Sequence, residues 1–336
     1  MKIVFLLFLS ILSVGHVVGQ PSGYRSIDQY AANITAATPD SLAYKLVLPF
    51  TTDREKARAI FSWITSHIEY DMSRYNRMTT TRQSKPVGRD TTYDDRSLNE
   101  RIAYSVMKKG RAVCDGYARL FQTLCDFAGL RSVIITGYAR SDSDPVTSRF
   151  NANHSWNAVF LDSAWHLVDA TWASGYVITG SNTFVKSLDE TYYLASPDRF
   201  ARNHYPQNPE WTLLTRPIPP EEFRLSPFKP MGFYKYGIRS FIPATGIVEA
   251  MPGDTLRLLL SADPMRLVRM APSSTPDTVL QITPDNHAFL TKPVIVSTGQ
   301  LLYTYIVPDT VPEWVNLVYN EDVVLRYRVK GERRAQ

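Results

Sequence analysis

Cysteine is nearly missing from this chain: 336 residues hold two, at 114 and 125, beside six histidines. Two cysteines cannot build the disulfide framework that staples small exported domains. Nor do they stand two to four residues apart, the spacing on which cysteine zinc sites are built. Long apolar runs are missing too. After the first residues no stretch approaches the roughly 20 apolar residues of a membrane-spanning helix. Charge of one sign is also lacking, because 37 Lys and Arg stand against 32 Asp and Glu, for a net of +5. The basic residues are scattered, and without a basic stripe nucleic acid is not an expected partner. There is no internal repeat and no low-complexity tract.

What is present begins with MKIVFLLFLSILSVGHVVGQ. Lys2, an apolar run over residues 3–14 and small residues leading to Gly19 read as a signal peptide, residues 1–19, cleaved before Gln20. The mature chain is therefore expected to be exported, secreted or periplasmic. No cysteine follows the cleavage point, so a lipid anchor is not expected. The rest is longer than one compact core usually holds. The Pro-rich passage RPIPPEEFRLSPFKP, residues 216–230, reads as the boundary between domains at 20–222 and 229–336. In the second, FIPATGIVEA, DTLRLLL, RLVRMA, TVLQI, QLLYTYIV, WVNLVY and VVLRYRV recur between turn signals. They predict an all-β, immunoglobulin-like sandwich of about seven strands, of unassigned role, without an inter-sheet disulfide. The polar stretch 73–96 reads as a mobile surface insert, and Arg333 with Arg334 as a solvated tail.

The first domain mixes helical periodicity with strands. Thr52 and Glu55 form a capping box ahead of the stripe Ala57, Ile60, Phe61, Ile64 and Ile68. His67 falls at the end of that helix. Ser97 and Glu100 form a second box, opening a helix that stops at Gly110. The stretch AVCDGYARLFQTLC then predicts a helix over 113–128, with Tyr117, Leu120, Phe121, Leu124, Cys125 and Ala128 on one buried face and Gly129 as its stop. Eleven residues of helix separate the thiols by about 16 Å, beyond the roughly 7 Å that a disulfide tolerates between Cα atoms. Cys125, in mid-stripe, reads as a small buried hydrophobe. Cys114 stands at the helix start, where unpaired N–H groups and the helix dipole favour a thiolate. Gly116 removes a side chain where a substrate backbone could approach. Locally, Cys114 stays open between a packing thiol and a reactive one.

Its partners tip that balance. RSVIITGY reads as a strand. HSWNAVFL and WHLVDATW read as a hairpin turning at Asp162 and Ser163. Such a hairpin brings His154 and Asp169 within about two positions of being cross-strand neighbours. A thiolate attacks a carbonyl carbon, an imidazole carries the proton, and a carboxylate orients the imidazole and stabilises its charged form. The backbone N–H of Cys114 is a natural oxyanion donor, and Tyr70 is a candidate for the second. Trp156 and Trp172 flank the set, as walls or as packing. His166 reads as a surface strand residue, His204 as a structural link from loop to core. Asp142 and Asp144 read as an ordinary turn, since no EF-hand pattern follows.

VCDGYARLFQTLCDFAGL resembles the nucleophile helix of the transglutaminase-like (papain-like) cysteine enzyme superfamily, and NHSWNAVFLDSAWHLVDATW resembles its His and Asp hairpin. TTDREKARAIFSWITSHIEYD and YYLASPDRFARNHYPQNPEWTLL resemble segments of its kyphoscoliosis peptidase and cytokinesis protein 3 branch. The resemblance spans roughly residues 50–215. It implies an α+β papain/transglutaminase-like core, with a nucleophile helix packed on antiparallel sheet. It also implies Cys114 as nucleophile, His154 as general base and acid, and Asp169 as orienting carboxylate. Neither cofactor nor metal is called for, and the implied substrate is protein or peptide. Three functions stay open: a peptidase or amidase on protein or cell-wall peptide, acyl transfer to an amine, and a binding module that retains the enzyme fold.

Overall fold

The computed structural model describes residues 23–80, 95–140, 151–178, 183–269 and 286–331. The expected signal peptide, Asp142 and Asp144, the run TVLQI and the Arg333-Arg334 tail lie outside the described residues. The chain opens with α1 (Arg25–Ala32), α2 (Pro39–Val47) and α3 (Asp53–His67), then β1 (Glu69–Tyr70) and α4 (Met72–Thr80). Next come α5 (Leu98–Lys109), β2 (Arg111–Ala112) and α6 (Cys114–Phe127). Three strands, β3 (Ser132–Ala139), β4 (His154–Leu161) and β5 (Ala164–Val168), precede the single turn α7 (Ala170–Ala173) and the pair β6 (Gly175–Val177) and β7 (Phe184–Lys186). After α8 (Pro197–Phe200) and β8 (His204–Pro206) the chain makes α9 (Pro220–Leu225) and α10 (Met231–Lys235). The last stretch holds β9 (Ile238–Ile242), β10 (Ile247–Glu249), β11 (Thr255–Ala262), α11 (Pro264–Arg269) and β12 (His287–Leu290). It ends with β13 (Val294–Ser297), β14 (Gln300–Ile306), β15 (Trp314–Tyr319) and β16 (Asp322–Lys330). The class is α+β with a β-rich C-terminal region, as the sequence implied.

Packing divides the chain into two units that alternate along the sequence. One takes the described residues up to Ser132, Phe160–Ser163 and Ala170–Asp189; the other takes Val133–Val159, Ala164–Asp169 and the residues from Glu190 onward. In the first, both capping boxes form with their reciprocal bonds, at Thr52 with Glu55 and at Ser97 with Glu100. Gly110 closes α5 at φ 63°, the left-handed region that glycine adopts without strain. Helix α6 packs against α2, α3 and α5. The apolar stripes account for this, since Ile60, Phe61, Ile64, Leu120, Phe121 and Leu124 are all sealed from water. Arg58 is buried as well and answers Asp28 on α1 with two contacts of 2.7 Å. The polar stretch read as an insert starts as helix α4, because Asp71 accepts from the Arg74 backbone N–H at 2.9 Å and caps it. Residues 81–94 of it lie outside the described residues.

The second unit holds a four-stranded sheet in the order β5-β4-β3-β8 and two further four-stranded sheets, β10-β16-β15-β12 and β13-β14-β11-β9. The latter two share one apolar core that includes Leu258, Leu260, Leu301, Tyr303, Val315, Leu317, Leu325 and Tyr327. One expected strand is a helix: most of RLVRMA belongs to α11. Asp263 accepts from the Met265 backbone N–H at 3.0 Å, and Pro264 takes the first helical position, where a missing N–H costs nothing. The passage 216–230 lies inside this unit. Arg140, at the end of β3, donates to the carbonyl oxygens of Phe223 at 3.3 Å and Ser226 at 2.7 Å. Phe228 exchanges backbone hydrogen bonds with Arg326 on β16, each 3.1 Å long.

Candidate active site

Cys114 is the first residue of α6 and is half-buried. The residue before it, Val113, offers no side-chain cap, so no carboxylate or hydroxyl from the capping position occupies the first turn. The start of the helix is instead held from outside its own backbone. Strand β2 pairs in parallel with β1, setting Tyr70 beside Ala112 two residues ahead of Cys114. The Tyr117 hydroxyl donates to the Ile68 carbonyl at 2.8 Å. Arg119 grips Asp115 in the first turn at 2.9 Å and also donates to Asn99 on α5. Gly116 corrects the sequence reading. A Cβ there would lie 2.7 Å from the Ala112 Cβ and 3.1 Å from a Val106 methyl, so the glycine lets α6 approach β2 and α5 rather than clearing a path for substrate. Cys125 is sealed on the buried face, and burial pushes its thiol well above the ordinary range.

The second unit holds the histidines. Asp162 and Ser163 adopt φ 49° and 64°, the pair of left-handed residues that a two-residue type I′ turn requires. Such a turn sets the register of β4 against β5. His154, first on β4, and Asp169, one residue past β5, then meet directly, with His154 Nε2 2.7 Å from Asp169 Oδ2. Asn153 pins the strand start: its carboxamide accepts from the Ala139 N–H at 2.8 Å and donates to the Ala139 carbonyl at 2.9 Å. A third residue joins. His204 Nε2 lies 3.0 Å from the same Asp169 Oδ2, although the sequence reading made His204 a structural link. Strand β8 puts it there by pairing antiparallel with β3, His204 beside Ala139.

Aromatic rings close around this triangle. Trp156 stacks on His154 (centroids 6.0 Å, planes 26° apart) and stands nearly perpendicular to His204 with centroids 5.1 Å apart. Phe200 covers His204 at 4.2 Å. Trp156 is therefore a wall behind the histidines, while Trp172 sits half-buried in α7. Gly137 makes room for the wall, because a Cβ there would fall inside 3.0 Å of Trp156 and of the β8 backbone. His166 is half-buried on β5, and His67 ends α3.

Asp169 is fully buried. Burial alone would raise its pKa; the charge and hydrogen bond of His154, and the hydrogen bond of His204, outweigh it and hold the carboxyl below the ordinary carboxylate range. For His204 burial wins over the attraction of Asp169, and its pKa falls to about 4. The ligand atoms of His154, Asp169 and His204 all lie within 4.8 Å of one another, a spacing a metal ion could use. The two contacts to Oδ2 have hydrogen-bond length. They are shorter than the roughly 3.3 Å edge of a tetrahedral zinc site with bonds of about 2.0–2.1 Å.

An uncapped helix start bearing a thiol and a buried imidazole–carboxylate pair are the parts of a transglutaminase-like domain. Residues 40–170 match the Transglutaminase-like superfamily, and the chain carries that domain. Within the superfamily the similarity is to the branch of kyphoscoliosis peptidase and cytokinesis protein 3. Human kyphoscoliosis peptidase is 32% identical over 245 residues, covering 72% of this chain and 34% of that protein. Hillarin of Drosophila melanogaster is 30% identical, covering 65% of this chain and 26% of that protein. Cytokinesis protein 3 of Schizosaccharomyces pombe is 29% identical over 177 residues, covering 52% of this chain and 17% of that protein. The chain thus spans about a third or less of these relatives' length. A solved structure described as "Crystal structure of a TGase" overlaps with a TM-score of 0.28 and 15% identity, over 54% of this chain and 40% of that one. Among the described residues no helix is long and apolar enough to cross a membrane.

Proposed function

We propose that the chain is an exported cysteine-dependent amide-bond enzyme in which Cys114, His154 and Asp169 act as one set. The observation that carries this reading is the dry His154–Asp169 contact. With Nε2 engaged by the carboxylate, the ring's Nδ1 is the atom that exchanges a proton with the thiol. Chain continuity supports the pairing with Cys114. Asp169 is followed directly by α7, and α7 packs against α6, the helix that Cys114 begins.

In this reading His154 Nδ1 takes the thiol proton and the Cys114 sulfur attacks the amide carbonyl carbon. The oxyanion formed is met by the Cys114 backbone N–H. His154 then returns the proton to the leaving amine, and a thioester remains. Water, deprotonated by His154, releases the carboxylic acid and restores the thiol. An amine in place of water would give acyl transfer with the same residues. Hydrolysis is favoured because water needs no acceptor site and because the human and mouse relatives are named peptidases. The leader supports export, and the Pro-rich passage supports domain limits of 20–222 and 229–336, the second an immunoglobulin-like sandwich.

The test incubates mature protein with a peptide library, with and without an added amine, and identifies products by mass. Shortened peptides that require Cys114 are expected. Products carrying the amine would convert the reading to acyl transfer. No product from wild type would leave a binding module, and an unchanged yield from Cys114→Ala would overturn Cys114 as the nucleophile. An N-terminus other than Gln20 on protein recovered outside the cell would overturn the cleavage site.

A further inference from the structure

We propose that His204 is the positioning residue for Asp169, holding from a neutral ring the same carboxylate oxygen that His154 uses. The inference rests on the reading of Cys114, His154 and Asp169 as a catalytic set.

Two imidazoles on one carboxylate oxygen raise the question of which carries the charge. Both approach Asp169 Oδ2 through Nε2, at 2.7 Å from His154 and 3.0 Å from His204. The two rings stand 5.4 Å apart, so charging both would set like charges side by side in a dry site. The surroundings choose between them. His204 is under Phe200 and against Trp156, almost sealed, and its burial opposes a charge. The groups that face this pair from other elements include His154 on β4 and Tyr192, whose ring lies 5.8 Å from that of His204 and whose backbone carbonyl accepts from the Asp169 N–H at 3.0 Å.

A neutral His204 that donates from Nε2 must accept at Nδ1. The atom placed at Nδ1 is the Asn203 carboxamide oxygen, 2.7 Å away, and the Asn203 Nδ2 donates to the Tyr192 hydroxyl at 3.0 Å, the reverse of what a neutral Nε2–H ring needs. Oxygen and nitrogen of an amide exchange by a half-turn. The neutral ring therefore requires that half-turn, after which the NH2 donates to His204 Nδ1 and the oxygen accepts from Tyr192. Every donor then runs one way, Tyr192 to Asn203 to His204 to Asp169, and His154 donates from the far side. The carboxylate is fixed in rotation and cannot offer its other oxygen to His154. Because His204 brings no positive charge, it does not compete with the imidazolium that His154 must form.

The experiment follows iodoacetamide alkylation of Cys114 against pH in the full mature chain, for wild type, His154→Ala, His204→Phe and His204→Gln. Wild type is expected to alkylate on a low-pH plateau set by thiolate paired with imidazolium, and His154→Ala to lose that plateau. In His204→Phe the acid edge should move up by about one pH unit, because a carboxylate no longer held on His154 stabilises the imidazolium, and through it the thiolate, about tenfold less. His204→Gln, which keeps an N–H at the Nε2 position, should restore most of the wild-type profile. A wild-type profile in His204→Phe overturns the proposal. Nitrogen-15 NMR of the wild-type imidazoles gives a second reading, independent of whether His204→Phe folds. His204 must be the neutral Nε2–H tautomer near neutral pH, and a charged ring or an Nδ1–H tautomer overturns it. Loss of the plateau on treatment with EDTA, with recovery on adding zinc chloride, would make the triangle a metal site and overturn it too. A wild type without any plateau that His154→Ala removes would sink the catalytic reading, while the tautomer still reports on His204.

Discussion

Around Cys114 the polar groups are partly exposed and held in pairs that water could replace; around Asp169 they are dry, and each donor has a task no solvent could take over. Asp115 and Arg119 face each other on the flank of α6, with about half of the Asp115 side chain and a quarter of the Arg119 side chain in water. Such a pair contributes little. His154, His204 and Asp169 have almost no exposure. A buried carboxylate there depends on its two imidazole contacts, and losing one exposes the full cost of desolvation. In the proposed reading the thiol end meets a substrate and the imidazole end holds a charge in place.

The largest effect should come from breaking the dry end chemically. His154→Ala is expected to lower kcat/KM on a verified substrate by at least about a thousandfold, as Cys114→Ala does, and Asp169→Asn by about a hundredfold. Near-normal turnover in His154→Ala would end the comparison.

Acid should expose the same end thermodynamically. The unfolded His204 imidazole binds a proton below about pH 6.5, whereas the folded one resists until about 4. The unfolded state therefore holds more protons between those values. Stability present above about pH 6.5 should fall as the pH drops towards 4 and level off below, a loss on the order of 3 kcal/mol. Urea midpoints across that window check it, and His204→Gln should flatten the slope.

Gly137→Ala should cost about 2 kcal/mol by pushing Trp156 off its seat, read as a lowered urea midpoint at constant slope. A chain ended after Glu222 loses both carbonyls that Arg140 uses, whereas one ended after Pro230 keeps them. The shorter should melt lower by a similar amount. Equal melting would support the domain limit at 222, and intact protein cut within 216–230 into two separable resistant pieces would support independence.

The smallest effects belong to the wet end. Asp115→Ala should change stability by less than about 1 kcal/mol. In native protein iodoacetamide should label Cys114 and spare Cys125; faster labelling of Cys125 would reverse the assignment.

Much of this was legible in the sequence wherever the determinant is local. The boxes at Thr52 and Ser97 involve residues three apart, the α6 stripe repeats within one helix, and the I′ turn needs only two residues. What escaped depends on distant chain. His204 reaches Asp169 across 35 residues, through a pairing of β8 with β3 that no periodicity announces. Asn153 works by imitating a backbone partner for Ala139, and a lone Asn gives no sign of that. Gly116 and Gly137 are set by neighbours whose approach only the fold defines. The strand expected at RLVRMA failed because apolar content outweighed the Asp-Pro start signal just before it.

Trp156 carries a consequence of another kind. Its indole stacks on the ring expected to gain and lose the proton and stands nearly perpendicular to the ring expected never to, with Gly137 leaving no slack behind it. An imidazolium quenches indole emission far more than an imidazole does. Each turnover should therefore dim and restore the light of one tryptophan, so that the charge on His154 can be followed in real time in unlabelled protein, with Trp156→Phe as the dark control.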